Sequence, residues 1–285
     1  MENNRLQKND DTDRKNKDKD NVSYPNSIPD VGMLKTDRER FLTRIDVDDG
    51  YIQLVDFMGC GDLAVVNAAR VSFGKRKEIL DDSDVKLIHY LAKHKHMSPF
   101  RHMQFTFLIH TSEVVCRQLY KHQVGCGFTS GEFREAATVW NEISGRYVEF
   151  KSEFHQVKEF RKQHTSNKQA SLPGSLVEKN DEALKIYQES LKTSYSAYEN
   201  LLSLGVCREQ ARMVLPIGFM NTLTMTASLE AVANFIRLRD HDGAQWEIRK
   251  LARAMKDLVT PICPVSIEAL IGSANCDQAD HKATH

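Results

Sequence analysis

The chain has 285 residues, 41% of them hydrophobic, enough to bury the core of one large domain or two small ones. Its 39 basic and 39 acidic residues cancel, so no bulk charge attracts nucleic acid or a membrane surface. No apolar run reaches the roughly 18 residues of a membrane helix. The six cysteines show no CxxC spacing, which predicts reduced thiols in a cytoplasmic protein without a metal site.

We expect one folded domain over residues 41–272, between a disordered charged tail at 1–40 and a flexible tail at 273–285. The beginning of the chain is almost entirely Asn, Asp, Lys and Arg. So few apolar side chains cannot offset the entropy that is lost when the backbone is ordered.

In the first half of the domain, hydrophobic periodicity predicts two strands and three helices. Alternating apolar residues are typical of a half-buried strand, and apolar residues three or four apart are typical of a helix. The strands are predicted at Tyr51–Met58 and His102–His110, and the helices at Asp62–Arg70, Asp84–Lys95 and Ser112–His122.

The second half is predicted to be mainly helical, with one strand at Tyr147–Phe150. The helices are expected at Asn180–Leu204, Cys207–Val214, Ser228–Arg239 and Ala244–Val259. Since the strands cluster early and the helices late, we predict an α+β fold rather than alternating βαβ units.

The predicted helix Ser112–His122 carries an unusual set of polar side chains. The positions of Arg117, Gln118, Lys121 and His122 place them on one side of the helix. Two cations, an amide and an imidazole make a donor-rich surface suited to a phosphate or a pyrimidine edge. A solvated amphipathic face is the alternative interpretation of the same spacing.

A second polar segment is Asn141–Tyr147. Ser144 and Gly145 can offer a hydroxyl and bare backbone N–H groups to a phosphate, and Arg146 can add a bidentate contact. The alternative is a polar turn that enters the predicted strand.

Three further segments are rich in cations. Arg208 and Arg212 lie four residues apart on one short helix and repel each other unless an anion lies nearby. Arg237 and Arg239 end an apolar-striped helix, where the helix dipole explains one cation more readily than two. The loop His96–His102 offers several cationic side chains. Surface pairing with distant acids, or an ordinary loop, would explain the same residues.

Taken together, these segments resemble the flavin-dependent thymidylate synthases over about residues 46–270. Each stretch alone is weak evidence, whereas their common order along the chain is specific. The matching stretches are Asn67–Lys75, His96–Phe100 with Phe105–Phe107, Arg117–Gln118 with Lys121–Gln123, Asn141–Tyr147, Arg212–Pro216, and Leu238–Arg239 with Ala244–Glu247.

The chain departs from the family pattern in two places. Lys121 and Gln123 stand where the family has the flanking arginines of Arg-His-Arg, which removes one charge and one guanidinium fork. An inserted loop, residues 124–140, follows where the family has only a handful of residues, and we hypothesise that it is a flap over the site. The family's serine in this gap has three candidate counterparts: Thr129, Ser130 and Thr138.

The resemblance implies one mixed domain with a twisted, largely antiparallel sheet flanked by helices, and it implies roles for individual residues. Arg239 would be the catalytic residue, contacting the uracil edge and activating the ring. FAD would be held by Ser98, Lys121, His122, Gln123, Glu142, Ser228, Leu229, Glu230 and Asn234. The nucleotide dUMP would be held by Gln118, Lys121, Glu142, Ser144, Gly145, Arg146, Arg212 and Arg239.

The same resemblance implies a reaction and an assembly. The family methylates dUMP to dTMP, with 5,10-methylenetetrahydrofolate as carbon donor, FAD as hydride carrier and NADPH as reductant. It also implies a homotetramer with active sites at subunit interfaces, and no nucleic-acid, membrane or metal partner. No enzyme thiol is needed, and none of the cysteines has an activating base beside it in sequence.

Three other interpretations remain open at the level of sequence. A thymidylate synthase with a catalytic cysteine needs a Pro-Cys segment, and only Cys263 lies next to a proline. A nucleotide- or RNA-binding module would account for the basic helices, but not for net neutrality and few clustered aromatic residues. An inactive family member, carrying Lys121 and Gln123, would bind flavin without turnover.

Overall fold

The computed structural model describes residues 38–123 and 139–272. One antiparallel sheet has the strand order β1-β2-β3-β7-β4. Its strands are β1 (Arg44–Val47), β2 (Gly50–Met58), β3 (Gln104–Ser112), β4 (Val139–Glu142) and β7 (Met220–Ser228). Two short strands, β5 (Arg161–Gln163) and β6 (Ser171–Leu176), pair separately as an antiparallel hairpin.

Helices connect these strands and follow the last of them. In the described ranges they are α1 (Asp62–Arg70), α2 (Asp82–Lys93), α3 (Glu113–Leu119), α4 (Asn180–Ser203), α5 (Arg208–Ala211), α6 (Leu229–Arg239), α7 (Trp246–Val259) and α8 (Pro264–Gly272). Short 3₁₀ turns occupy Val71–Phe73, Ser98–His102 and Arg212–Val214. The predicted α+β fold with a largely antiparallel sheet is confirmed.

The central strands of the sheet alternate between buried and half-buried side chains, as expected when helices cover one face. Phe105, Phe107 and Ile109 of β3 are fully buried on the covered face. Phe107 lies opposite Met225 of β7, and Ile109 lies opposite Leu223. Helices α6, α7 and α8 supply the other half of this core. Each fully buried side chain of this size contributes about 1.5–3 kcal/mol.

The start of α8 is fixed by a residue distant in sequence. Both carboxylate oxygens of the buried Asp62 accept backbone N–H groups, from Val265 and Ser266, each at 2.9 Å. The preceding Gly61 has a φ of 68°, and a Cβ there would lie 2.3 Å from the backbone oxygen of Ile262. Only glycine fits this approach, so residues 61–62 attach α1 to the last helix.

Several predicted elements were wrong or were missed. Tyr147–Phe150 is not a strand, because residues 145–147 form a turn. The strand β7, which lies between β3 and β4 in the sheet, and the helix α8 were not predicted at all. The order is therefore not simply strands early and helices late, because β7 comes after most of the helices.

The boundaries of the predicted tails and of the inserted loop are only partly visible. Arg38, which was assigned to the N-terminal tail, donates to Asp56 at 2.9 Å. Val139 and Trp140, which were assigned to the loop 124–140, form the start of β4. The rest of that loop, the rest of the first tail and the tail at 273–285 lie outside the described residues.

Candidate functional site

The pairing of β3 with β7 brings two candidate cofactor-binding segments to one end of the sheet. Gln104, the first residue of β3, lies opposite Ser228, the last residue of β7. The turn Ser98–His102 precedes β3 and α6 follows β7, so the two segments are neighbours. Arg101 and Glu230 form an ion pair between them, with a second contact at 3.3 Å.

This end of the sheet suits an anionic group. The helix α6 begins here, and the Ser228 hydroxyl accepts the backbone N–H of Ala231 at 3.3 Å. A helix N-terminus favours negative charge. The buried carboxylate of Glu230 would oppose an anion, but Arg101 neutralises it. Ser98 is exposed on the adjacent turn.

At the C-terminal end of α6, Arg239 meets a buried histidine. Arg239 Nε donates to His122 Nε2 at 2.8 Å, and the His122 ring packs edge-on against Phe235 with the centroids 5.0 Å apart. Burial, and then the charge of Arg239, lowers the pKa of His122 to about 4. The imidazole is therefore neutral at physiological pH and acts as an acceptor that orients the Arg239 guanidinium.

Glu142 ends β4 and is held by two side chains that the sequence interpretation had not singled out. Tyr120 donates its hydroxyl hydrogen to Glu142 Oε2, and Asn221 Nδ2 donates to the same oxygen at 3.3 Å. Burial raises the pKa of Tyr120, and the hydrogen bond to Glu142 raises it further, so the hydroxyl remains a donor. The ring of Trp140 packs edge-on against Tyr120 with the centroids 5.2 Å apart.

The segment Ser144–Arg146 forms a turn rather than part of a strand. A Cβ on the buried Gly145 would lie 2.1 Å from Phe150 Cε2, so a larger residue would displace that ring. Arg146 lies beside a cavity of about 490 Å³, 3.8 Å from Glu209, and both side chains of this pair are exposed. The remaining cavity residues are Tyr147, Glu149, Leu202, Gly205, Val206, Cys207 and Arg208.

The prediction that Arg117, Gln118, Lys121 and His122 lie on one side of a single helix was wrong. The helix α3 ends at Leu119, so Lys121 and His122 lie beyond it. Arg117 is exposed and lies 3.6 Å from Glu113, whereas Gln118 donates to Gln245 at 2.5 Å. The residues after Leu119 turn so that His122 is buried while Lys121 and its neighbour Gln123 stay exposed.

The other predicted residues lie on separate elements. Asn234 accepts from Arg237 at 2.9 Å on the exposed side of α6. Arg212 lies half-buried on the 3₁₀ turn that follows α5. The contacts of Arg101, Tyr120 and Asn221 were missed, although Arg101 and Tyr120 lie directly beside matching sequence stretches.

The cysteine alternative has no support in the structure. Cys263 is fully buried, and burial raises its pKa well above the usual value, so it is a core residue rather than a nucleophile. In the part of the chain that the structure describes, no group of His, Cys, Asp and Glu side chains is arranged to hold a metal ion. Nor does any described helix combine the length and apolarity needed to cross a membrane.

Known proteins resemble this chain over most of its length. The family model described as "Thymidylate synthase complementing protein" matches residues 53–265. A flavin-dependent thymidylate synthase of Thermus thermophilus is 40% identical over 220 residues, covering 77% of this chain and 75% of the relative. One of Thermosipho melanesiensis is 36% identical over 225 residues, covering 79% and 92%.

A solved structure has the same fold. It is the UMP/dUMP methylase PolB from Streptomyces cacaoi, bound with 5-Br dUMP. The two chains are 28% identical with a TM-score of 0.68, and the match covers 79% of this chain and 96% of the other.

Proposed function

The chain belongs to the flavin-dependent thymidylate synthase family, and we propose that it methylates dUMP to dTMP in the cytoplasm. In this proposal 5,10-methylenetetrahydrofolate donates the carbon, FAD carries the hydride and NADPH is the reductant. The observation that carries the proposal is the contact between Arg239 and the neutral, buried His122, because it holds the Arg239 cation in one orientation.

Arg239 is the proposed catalytic residue. Its Nε donates to His122, which leaves the terminal nitrogens of the guanidinium to donate to the O2 atom of uracil. Negative charge that develops on this edge during reaction is stabilised by a donor already in place. Such preorganised donors are typically worth about 3–4 kcal/mol.

The phosphate of dUMP is proposed to bind at Ser144, Gly145 and Arg146, with Arg212 as a second cation. Arg146 can leave its partner Glu209 at little cost, because exposed pairs are worth about 0–1 kcal/mol and this pair is long, at 3.8 Å. Gln118, Lys121 and Glu142 would complete the contacts to the nucleotide.

The residues at the start of α6 fit an anionic cofactor such as FAD, which when bound supplies the hydride. Ser228, Leu229 and Glu230 present the helix N-terminus, and Ser98 lies on the adjacent turn. Arg101 keeps the Glu230 carboxylate from repelling the cofactor phosphates. The remaining proposed FAD contacts are Lys121, His122, Gln123, Glu142 and Asn234.

We further propose that the protein is a homotetramer whose sites lie at subunit interfaces. Large apolar side chains next to proposed dUMP residues support this assembly. Met213, beside Arg212, and Tyr147, beside Arg146, are each 79% exposed in the single chain.

Absorption spectroscopy tests the cofactor, and product analysis tests the reaction. After FAD is added and unbound FAD is removed by gel filtration, the protein should be yellow and should bleach under anaerobic conditions with NADPH and dUMP. Adding the folate donor should then yield dTMP. A protein that stays colourless with added FAD would contradict the flavin reaction, and a yellow protein without dTMP would identify an inactive family member.

Two variants test the assigned roles. Arg239→Ala should abolish turnover with flavin still bound, because the electrostatic contribution is lost while the cofactor contacts remain. Arg146→Ala should mainly raise the KM for dUMP. Normal turnover in the first variant would contradict the role of Arg239.

A further inference from the structure

Four polar side chains form a hydrogen-bonded chain that ends at Gln118. Arg161 Nη2 donates to Glu247 Oε1 at 2.8 Å, and Gln245 Nε2 donates to Glu247 Oε2 at 2.9 Å. Gln118 Nε2 in turn donates to Gln245 Oε1 at 2.5 Å. All four residues are half-buried. The chain connects the β5–β6 hairpin to a residue proposed to bind dUMP.

The direction of these hydrogen bonds is set by Glu247. Burial raises the pKa of this carboxyl group, but the hydrogen bonds from Arg161 and Gln245 outweigh burial, and the net pKa is lowered. An ionised carboxylate accepts hydrogen bonds and cannot donate them. Gln245 must therefore turn its NH2 group toward Glu247, which leaves its carbonyl oxygen for Gln118.

The same constraint fixes the amide of Gln118. A carbonyl oxygen on Gln245 can only be met by the NH2 group of Gln118, which also lies 3.4 Å from the backbone oxygen of Val114. Within residues 38–123 and 139–272, no side chain or backbone group donates to Gln118 Oε1. The carboxamide oxygen is therefore the atom that Gln118 can offer to a ligand.

Arg161 is itself held in place at the far end of the chain. Its Nε donates to the Ser171 hydroxyl of β6 at 3.0 Å, and its guanidinium lies 5.8 Å from the centre of the Trp246 ring. A fixed guanidinium requires an acceptor at residue 247. The hairpin therefore contributes to the orientation of Gln118 without touching it.

We propose that Arg161, Glu247 and Gln245 are positioning residues that hold Gln118 as a hydrogen-bond acceptor for a donor group of dUMP. The proposal rests on the proposed function, in which Gln118 contacts the nucleotide. The uracil N3–H and the 3′-hydroxyl are the two donors that dUMP can offer. The arrangement selects for a ligand that donates at this position and against one that presents only an acceptor.

The variant Glu247→Gln is expected to reverse the whole chain. Arg161 still needs an acceptor and takes the new amide oxygen, so the new NH2 group faces Gln245. Gln245 then turns its oxygen to residue 247 and its NH2 group to Gln118, and Gln118 presents its own NH2 group to the ligand. The NH2 group of Gln118 would then face the donor group of dUMP, and no hydrogen bond could form. The Kd for dUMP, measured by calorimetry, should rise by about 10-fold.

The matched control is Glu178→Gln, the same chemical change in the exposed pair with Lys162, at 3.2 Å. Its dUMP affinity should equal that of the wild type. Unchanged dUMP affinity in Glu247→Gln would overturn the proposal, whatever the effect of the substitution on thermal stability.

A rescue variant separates orientation from simple loss of structure. Gln118→Glu alone sets a carboxylate against the Gln245 oxygen and should weaken binding. Combined with Glu247→Gln, it lets Gln245 donate to the new carboxylate, and an acceptor again faces the ligand. If the two single losses in binding free energy were additive, they would predict a certain Kd for the double variant. The measured Kd should be lower than that prediction by about 10-fold or more. Additive losses would overturn the proposal.

Two nucleotide analogues identify the donor. The first, 2′,3′-dideoxyuridine monophosphate, lacks the 3′-hydroxyl, and the second, 3-methyl-dUMP, lacks N3–H. The departure from additivity between the substitutions at 118 and 247 should disappear with the analogue that lacks the donor facing Gln118. A departure from additivity that persists with both analogues would overturn the proposal. A wild type that binds no dUMP would overturn the proposed function as well, whereas binding with additive variants overturns this inference alone.

Discussion

Lowering the pH tests the contact between His122 and Arg239. The pKa of His122 is about 4 in the folded protein, against an ordinary value of 6.5. Because the folded value is the lower one, the unfolded chain takes up the proton first as the pH falls. The stability that depends on neutral His122 is therefore fully present above pH 6.5 and is lost between about pH 6.5 and 4.

The size of this effect follows from the two pKa values. A gap from 6.5 to about 4 corresponds to about 3 kcal/mol when the loss is complete, since one pKa unit is worth about 1.4 kcal/mol. The loss should reach about 1.4 kcal/mol near pH 5.5 and about 2 kcal/mol near pH 5. Either value is a large fraction of the stability of a typical domain, which is about 5–15 kcal/mol.

Urea unfolding, followed by tryptophan fluorescence across this pH range, measures the effect. The variant His122→Gln keeps an acceptor for Arg239 but cannot be protonated, so the wild type should lose stability relative to it as the pH falls. The same substitution at the exposed His94 is the control for losing a histidine. Parallel stability curves for wild type and His122→Gln would refute the buried, neutral state of His122 and its role in orienting Arg239.

Three further substitutions test the framework around the site. Asp84→Ala removes a fully buried carboxylate that pairs with two cations, and urea unfolding should show a loss of about 3 kcal/mol or more. Gly61→Ala places a Cβ 2.3 Å from a backbone oxygen at a positive φ, so its unfolding free energy should fall by more than about 2 kcal/mol. Tyr120→Phe removes one of the two hydrogen bonds that Glu142 Oε2 accepts and leaves the one from Asn221, at 3.3 Å. It should raise the KM for dUMP several-fold with little change in melting temperature, and an unchanged KM would contradict the positioning of Glu142.

Strong periodicity explains which elements could be predicted from sequence. The helix Asp62–Arg70 was predicted at its observed bounds, and the strand at Tyr51–Met58 began one residue late. The strand Met220–Ser228 was missed because its buried positions hold Met, Leu and Ala between threonines, a weak apolar alternation. Its place in the sheet depends on pairing with β3, which no local pattern reveals.

The candidate site was predicted from sequence only as a set of residues, not as a set of contacts. The order of the motifs identified Gln118, Glu142 and Arg239, but not what holds each of them. Gln118 and Gln245 are separated by 127 positions, and Arg101 and Glu230 by 129. Such pairs form only because β3 and β7 are neighbours and α3 packs near α7, so the contacts are a property of the fold rather than of any motif.

The two residues that stand in place of the family arginines lie at exposed positions. Lys121 and Gln123 are exposed, and the one contact described for Gln123 is a 3.3 Å hydrogen bond to the backbone oxygen of Tyr120. Replacing an arginine there removes no buried partner, because exposed ion pairs contribute little. His122, between them, is buried and fixes Arg239, and this is the contact on which the proposed activation of uracil depends. In the proposed mechanism the two substitutions therefore affect the affinity for an anionic ligand, whereas the proposed chemistry depends on Arg239 and His122, which the chain retains.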